Sequence, residues 1–465
     1  MTSPLLKNYI GDRAFYKRIA AVALPIVIQN AITNFVSLLD NIMVGQTGTA
    51  QMSGVAIANQ LMFIFYLCIF GAMAGAGIFS AQFHGSGDQE GIRRTFRFKM
   101  LAGILLGIAG IALFYFADDA LVSLYLQSDS DPTERALTLQ YGKEYLLIML
   151  WGLLPFALGN AYASTLRETG KTTIPMVASV TAVFVNLILN YILIFGHFGA
   201  PAMGVRGAAL ATVVSRYVEM AIVFGWMHLN PGKNPYIVGV YRSLYIPAGL
   251  LKNIFQKGMP LLVNEFLFAL GCAVVNQCYS VRSLDVLAAT NISNTVYSIC
   301  SVIYMSMGNT IGIIMGQMMG SGNTKPVVRD SFNKMTFLSI ASSLAFSLIL
   351  VALSGLYPQL YNTTDDVRSL ATQIILIMAA MMPFHGYIHA VYFAMRSGGK
   401  TGITFLFDSG YLWIVMVPLA YLLSRFTAIP ILALYAIVNA SEAIKALVGW
   451  RMIRKDNWIQ DLTKI

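Results

Sequence analysis

"ALPIVIQNAITNFVSLLDNIMVG" (residues 23–45) holds one ionisable side chain, Asp40, in a run that is otherwise uncharged back to Ile19. A helix of this length crosses the ~30 Å hydrocarbon core of a bilayer. A carboxylate inside hydrocarbon is expensive, so it faces a polar interior, pairs with another group or lines a pathway. Runs of the same kind recur along all 465 residues, of which 57% are hydrophobic and 11% charged. A soluble domain carries roughly 25% charged residues. The pattern predicts a polytopic helical membrane protein; a β-barrel would show short alternating segments instead. The first run follows Lys17 and Arg18, is too long for a signal-peptide core and has no small-residue cleavage pattern after it, so it reads as a retained span.

Twelve spans are expected, near 18–44, 52–83, 95–117, 137–163, 173–196, 207–229, 250–281, 287–319, 333–355, 370–395, 402–424 and 431–450. Their connections alternate in charge. One side collects Lys7, Arg13, Arg93, Arg94, Arg97, Lys99, Arg167, Lys171, Lys233, Lys325, Arg329, Arg396, Lys400, Arg451 and Arg454. The other is neutral or acidic, with Asp118, Asp119, Asp129, Asp131, Glu134, Asp365 and Asp366. The excess of base on one side predicts that both termini are cytoplasmic. The net charge of +10 is thereby a matter of topology and gives no support to nucleic-acid binding. Cys68, Cys272, Cys278 and Cys300 lie in or beside apolar runs and read as packed thiols.

A shift of 235 residues places the chain on itself without a gap: Pro25 falls on Pro260, Asn41 on Asn276, Asn59 on Asn294, Gln82 on Gln317, and "HGSGD" (84–88) on "MGSGN" (319–323). "LRETGKT" (166–172) matches "MRSGGKT" (395–401) at a shift of 229. Six spans used twice keep the same orientation, which predicts two pseudo-symmetric six-helix lobes around a central cleft, an arrangement typical of transporters. The expected division is 1–229, a cytoplasmic linker 230–249, and 250–465 with a short cytoplasmic tail. Gly71 and Gly75, and Gly308, Gly312, Gly316 and Gly320, have the small-residue spacing that lets helices approach closely. "GKT" at 170–172 and 399–401 lacks the leading glycine of a phosphate loop. With no ATP, metalloprotease or nucleophile-elbow motif in the sequence, an enzyme is not expected, and neither is a cofactor beyond a coupling ion.

Polar residues inside the spans are the candidate site. Asn186 and Asn190 share a helix face, as do His385 and His389. The histidine spacing is open to metal, but no third ligand is evident, and polar cavity lining is expected. Glu442 and Lys445 are three apart and are expected to pair, as are Arg216 and Glu219. Asp40, Glu265 and Asp408 have no partner in their own helix. A lone carboxylate in low dielectric takes up a proton or a cation, which is the switch that coupling needs.

"ALPIVIQNAITNFVSLLDNIMVG", "NLILNYILIFG", "GVRGAALAT", "MRSGGKT" and "FDSGYLWIVMVPLAY", in this order and spacing, resemble the bacterial branch of the multidrug and toxic compound extrusion (MATE) family of the MOP superfamily. The resemblance spans nearly the whole chain. It implies a secondary active exporter of organic cations, drugs or metabolites in the inner membrane, exchanging substrate for H⁺ or Na⁺ by alternating access, and a monomer. It assigns the N-lobe cation-coupling group to Asp40, Asn186, Asn190 and Thr212, with Asn190 where some relatives have Asp. The C-lobe departs from the family's pattern. The glutamate eight residues after the span 7 proline is Phe268 here, with Glu265 a turn earlier, and an acid of span 10 is replaced by His385. Asp408, with Trp413 near it, is expected to supply the C-lobe charge, alongside Glu265, His385 and His389. The alternative, a lipid-linked precursor flippase of the same superfamily, would carry several cationic residues inside its spans.

Overall fold

The structure, a computed structural model, describes residues 9–123, 125 and 132–464; Lys7, Asp129 and Asp131 lie outside the described residues. Within them the secondary structure is wholly helical, and twelve helices are long and apolar enough to cross a membrane. Hydrocarbon offers no partners to a free N–H or C=O, so a chain this apolar closes its backbone bonds within helices. The spans are α1 (Arg13–Gly45), α2 (Thr49–Ser86), α3 (Gln89–Phe116), α5 (Pro132–Glu168), α6 (Thr173–Phe195), α7 (Val205–Leu229), α8 (Ala248–Ser280), α9 (Leu284–Gly320), α10 (Lys325–Ser354) and α11 (Asp365–Ser397). The short α4 (Asp118–Ser123) lies in a connection.

The last two spans are interrupted. Span eleven starts as α12 (Thr401–Phe405), winds as π-helix over Leu406–Gly410 and Leu412–Met416, and ends as α13 (Val417–Phe426). Span twelve is broken at Ser441 into α14 (Ile431–Ala440) and α15 (Glu442–Ile453). Polar caps mark where several spans begin: Asp88 accepts from Gly91 N at 2.9 Å, Ser283 from Val286 N at 3.2 Å and Thr364 from Val367 N at 3.4 Å. Each satisfies a backbone donor that the first helical turn leaves free.

The chain forms two compact units. One comprises residues 28–80 and 88–254, the other the chain up to Val27, residues 81–87 and 255–465. The break within α1 and the inclusion of the end of α2 in the second unit were not visible in the sequence boundaries. In the first unit, Leu61, Phe65, Ile69, Leu146, Leu153 and Val213 belong to one buried apolar cluster. The segment 230–247 is tied down here: Arg97 Nε donates to Val240 O at 2.8 Å, Arg93 Nε to Tyr236 O at 3.0 Å, and Lys171 Nζ to Asn234 Oδ1 at 2.8 Å. Burial first, and then the charge of Lys233, hold Lys171 below the ordinary lysine pKa. In the second unit, the tail after α15 is docked. Trp458 is buried and Leu462 N donates to Gln82 Oε1 at 2.6 Å, while Gln82 Nε2 donates to Ser397 O at 2.9 Å.

Small residues set the closest approaches. Gly308 and Gly312 of α9 face the Phe393 ring of α11. Helices α2 and α5 meet backbone to backbone: a Cβ on Gly54 would lie 2.7 Å from Gly142 N and 2.8 Å from Thr138 O. Backbone cannot swing aside as a side-chain tip can, so overpacking here is expected to cost about 1–3 kcal/mol. Gly54→Ala should therefore lower the unfolding midpoint of the detergent-solubilised protein. Gly225→Ala, with open space around it, should leave that midpoint unchanged; equal midpoints for both variants would refute this close approach.

Candidate functional site

In the first unit, Asp40 of α1 meets two amides of α6, one of which reaches Thr212 of α7. Asn190 Nδ2 donates to Asp40 Oδ1 at 2.8 Å. With its nitrogen turned to the carboxylate, the Asn186 amide donates to both Asp40 oxygens at 3.0 and 2.9 Å, and its oxygen accepts from Thr212 N and Oγ1, each at 3.3 Å. Turned the other way, Asn186 Oδ1 accepts from Asn190 Nδ2 at 3.2 Å. The four residues expected to form the N-lobe group are thus one cluster. Asn190 Oδ1 is buried and has no hydrogen-bond partner, a lone pair available to a donor or a cation. The i, i+4 spacing on α6 brings both amides to one face; with the Asn186 nitrogen turned to Thr212 Oγ1 at 3.3 Å, the Thr212 hydroxyl donates to Ala208 O at 3.0 Å.

Arg216, also on α7, acts on Asp40 through its charge. It pairs with Glu219 at 3.3 Å, as expected, and its guanidinium lies 4.9 Å from the centre of the Phe156 ring. Elsewhere in this unit Lys99 of α3, fully buried, pairs with Glu168 of α5 at 2.5 Å and donates to Ser164 and Thr165. This pair joins two helices and stands apart from the Asp40 cluster's hydrogen bonds.

The second unit holds a different constellation around a cavity of about 230 Å³. His385, His389 and Asp408 line it, with Tyr297, Tyr304, Glu442 and Lys445. The expected pairing of Glu442 with Lys445 is not made. The turn at Ser441 starts α15 afresh, and both side chains reach other helices. Lys445 Nζ meets Asp408 Oδ1 at 2.8 Å, and Glu442 Oε2 meets His385 Nε2 at 2.5 Å. Asp408 is therefore no lone carboxylate: Lys445 offsets its charge, and Asn264 Nδ2 donates to its second oxygen at 3.1 Å. The π-helical winding around Asp408 is held by the same residue, since Ser409 N donates to Asn264 Oδ1 at 3.2 Å and Ser409 Oγ to Asn264 O at 2.7 Å. Such windings occur frequently at functional sites.

Glu265 and Trp413 stand outside the cavity lining. Glu265 lies by the Tyr392 hydroxyl and the Arg396 charge. Trp413 donates Nε1–H to Leu267 O at 2.9 Å, joining span eleven to α8. No group of three or more metal-ligating side chains occurs among the described residues, and His385 is engaged by Glu442 and Tyr297.

The MatE family model matches residues 25–192 and 260–422, one stretch in each half of the repeat. The chain belongs to the MatE family. It is 23% identical to a probable multidrug resistance protein NorM of Thermotoga maritima over 92% of this chain and 90% of that one. It is 25% identical to a probable multidrug resistance protein NorM of Bacillus subtilis, over 91% and 92%. Its fold matches the outward-facing conformation of a multidrug resistance MATE family transporter of the MOP superfamily, with a TM-score of 0.83 at 18% identity over 98% and 99% of the two chains. A MatE protein of this length and fold is a multi-pass membrane transporter and not an enzyme.

Within the MatE repeat, Lys445 stands at the position of Arg216 at the 229-residue shift, and Asn264 at that of Gln29 at the 235-residue shift. Each unit thus carries a cation at the same place, Lys445 buried and Arg216 half-buried, while its acids have moved. The sequence singled out neither Asn264 nor Tyr297 and Tyr304, which nothing sets apart among 23 tyrosines. Removing one member of a buried ion pair leaves the other uncompensated, at a cost of about 3–5 kcal/mol. Lys445→Met should therefore destabilise the detergent-solubilised protein strongly, and Lys445→Met/Asp408→Asn should recover most of the loss. Additive losses in that double-mutant cycle would show that the two groups do not interact.

Proposed function

We propose that this MatE protein is a secondary active exporter of small organic cations or amphipathic drugs and metabolites, driven by inward H⁺ or Na⁺ through alternating access. It works as a monomer in the cytoplasmic membrane with both termini in the cytoplasm, and needs no cofactor beyond the coupling ion. The cluster of Asp40, Asn186, Asn190 and Thr212 carries this reading. A half-buried carboxylate hydrogen-bonded to neutral amides keeps one unit of charge that a proton or Na⁺ neutralises. The multidrug names of the relatives support the substrate class.

The Asn186 amide fits the two loading states by turning over. With Asp40 ionised and its site empty, the amide nitrogen faces the carboxylate. With a proton on Asp40, or Na⁺ beside it, the amide oxygen faces inward instead and accepts the proton's hydrogen bond or ligates the ion. Asn190 Oδ1 and Thr212 Oγ1 then complete a set of oxygen ligands. Asn190 contributes ligation without charge, so Asp40 alone switches. Coupling requires that loading favour one conformation over the other. Pro25 removes one backbone hydrogen bond from α1, giving that helix a place to bend when Asp40 is loaded.

Asp40→Asn should abolish drug efflux driven by either gradient in proteoliposomes, normalised to inserted protein, while yield and thermal stability hold. Removing a membrane carboxylate relieves roughly 2.5–3.5 kcal/mol on the insertion scale. Asn190→Ala should weaken efflux several-fold without uncoupling it. Imposing pH and Na⁺ gradients separately identifies the ion. Full efflux by Asp40→Asn would move the coupling group elsewhere.

A further inference from the structure

A glycine–lysine turn opens the fifth span of each half, and its lysine is answered in only one of them. Gly170-Lys171 and Gly399-Lys400 correspond at the 229-residue shift, and both glycines take positive φ, 77° and 74°. In the first unit, Lys171 Nζ donates to Lys233 O and, at 2.8 Å, to Asn234 Oδ1. In the second, Lys400 has no hydrogen-bond or ion-pair partner among the described residues. Thr463 stands at the position of Asn234 under the same shift, but its hydroxyl donates to Asp461 Oδ1 at 2.6 Å.

A further lysine is added at the unanswered turn. Lys257 of α8 passes over Gly399, where a Cβ would lie 3.5 Å from Lys257 Cε. Lys400 acts on it through its charge, and Lys257 too lacks a hydrogen-bond or ion-pair partner among the described residues. The first half has Val22 at this place under the 235-residue shift. The docked tail supplies no counter-charge here: Leu462 packs on Gly399, while Asp461 is turned to Thr463 and Lys464. Both lysines are half-buried. Two like charges side by side repel, and each ammonium gives up water that no group of the chain replaces. An anion with two free oxygens answers both.

The surroundings select the source of that anion. Lys257 lies near the start of α8, and Lys400 immediately precedes span eleven, at the ends where the basic connections collect. These helices run side by side, joined by the Asn264–Ser409 and Trp413–Leu267 bonds. In the turns that follow each lysine, Met259 and Val263 on one helix and Ile403 and Leu406 on the other are exposed apolar surface. Acyl chains cover such surface, and free phosphate does not. Basic pockets between spans recognise anionic headgroups in this way.

We propose that Lys257 and Lys400 bind the phosphate of an anionic phospholipid whose acyl chains lie along α8 and span eleven. A phosphodiester carries one negative charge and two unesterified oxygens, one for each ammonium. A zwitterionic headgroup brings its own cation and leaves the pair of lysines unanswered. On the orientation proposed above, the lipid belongs to the cytoplasmic leaflet. Binding is read without transport, so the outcome is independent of coupling at Asp40.

The purified full-length protein in detergent is titrated with phosphatidylglycerol and, separately, with phosphatidylcholine, and bound lipid is counted by native mass spectrometry. Wild type should bind phosphatidylglycerol about tenfold more tightly. Lys257→Gln/Lys400→Gln should lose most of that preference, and each single variant part of it, so the test stands if the double variant does not fold. Lys171→Gln, which removes the same charge from the answered turn, should keep the preference. Phosphatidylglycerol should also raise the unfolding midpoint of wild type and not that of the double variant. No preference in wild type, or an undiminished one in the double variant, would overturn the site. An equal loss in Lys171→Gln would reduce the effect to diffuse surface charge and overturn it as well. Displacement of the lipid by millimolar inorganic phosphate would overturn the lipid as occupant and assign the pair to a free anion.

Discussion

Hydrocarbon supplies no hydrogen-bond partner and little screening, and every polar group in this chain is placed under that constraint. It dictates twelve closed helices for the backbone. It also dictates that the ionisable side chains inside them be answered from another helix. Asp40 on α1 is answered by amides of α6, Lys99 on α3 by Glu168 on α5, Asp408 by Lys445 on α15, and Glu442 by His385 on α11. These bonds cross between helices that are remote in sequence, so the pairs fix how the helices of each unit are set against one another.

The two units meet the constraint with different chemistry. In the first, a carboxylate takes hydrogen bonds from neutral amides, one of which also meets a hydroxyl. In the second, carboxylates are answered by an ammonium and an imidazole. The same repeat therefore gives one acid hydrogen-bonded by amides, one paired with an ammonium and one beside an imidazole.

Duplication explains why the cation persists while the acids have moved. Arg216 and Lys445 occupy equivalent positions, and each also lies near an aromatic ring, Phe156 and Phe407 respectively. These acids have no acidic counterparts across the repeat: Asp40 falls on Val275 at the 235-residue shift, and Asp408 and Glu442 on Ser179 and Val213 at the 229-residue shift. The local breaks follow the acids. The π-helical winding surrounds Asp408, and the interruption at Ser441 immediately precedes Glu442. A straight helix through either point would aim these side chains elsewhere.

The sequence by itself determined what depends on composition and period. Twelve apolar runs, their charge alternation and the 235-residue repeat are local or additive properties, and a membrane leaves such a chain few options. The Asp40 cluster was legible too, because Asp40 stands alone in an uncharged run, Asn186 and Asn190 share a face by helical spacing, and the family resemblance grouped them with Thr212. The tertiary structure decided the partners in the second half. Glu442 and Lys445 are neighbours by spacing on α15, yet each meets a group on another helix, His385 and Asp408 respectively. Asn264, Tyr297 and Tyr304 carry no signal as single residues and become significant only where folding brings them to Asp408 and His385. Three-residue spacing constrains which side chains can meet, but in low dielectric the choice among possible partners is made by the full set of charges that the packed helices bring together.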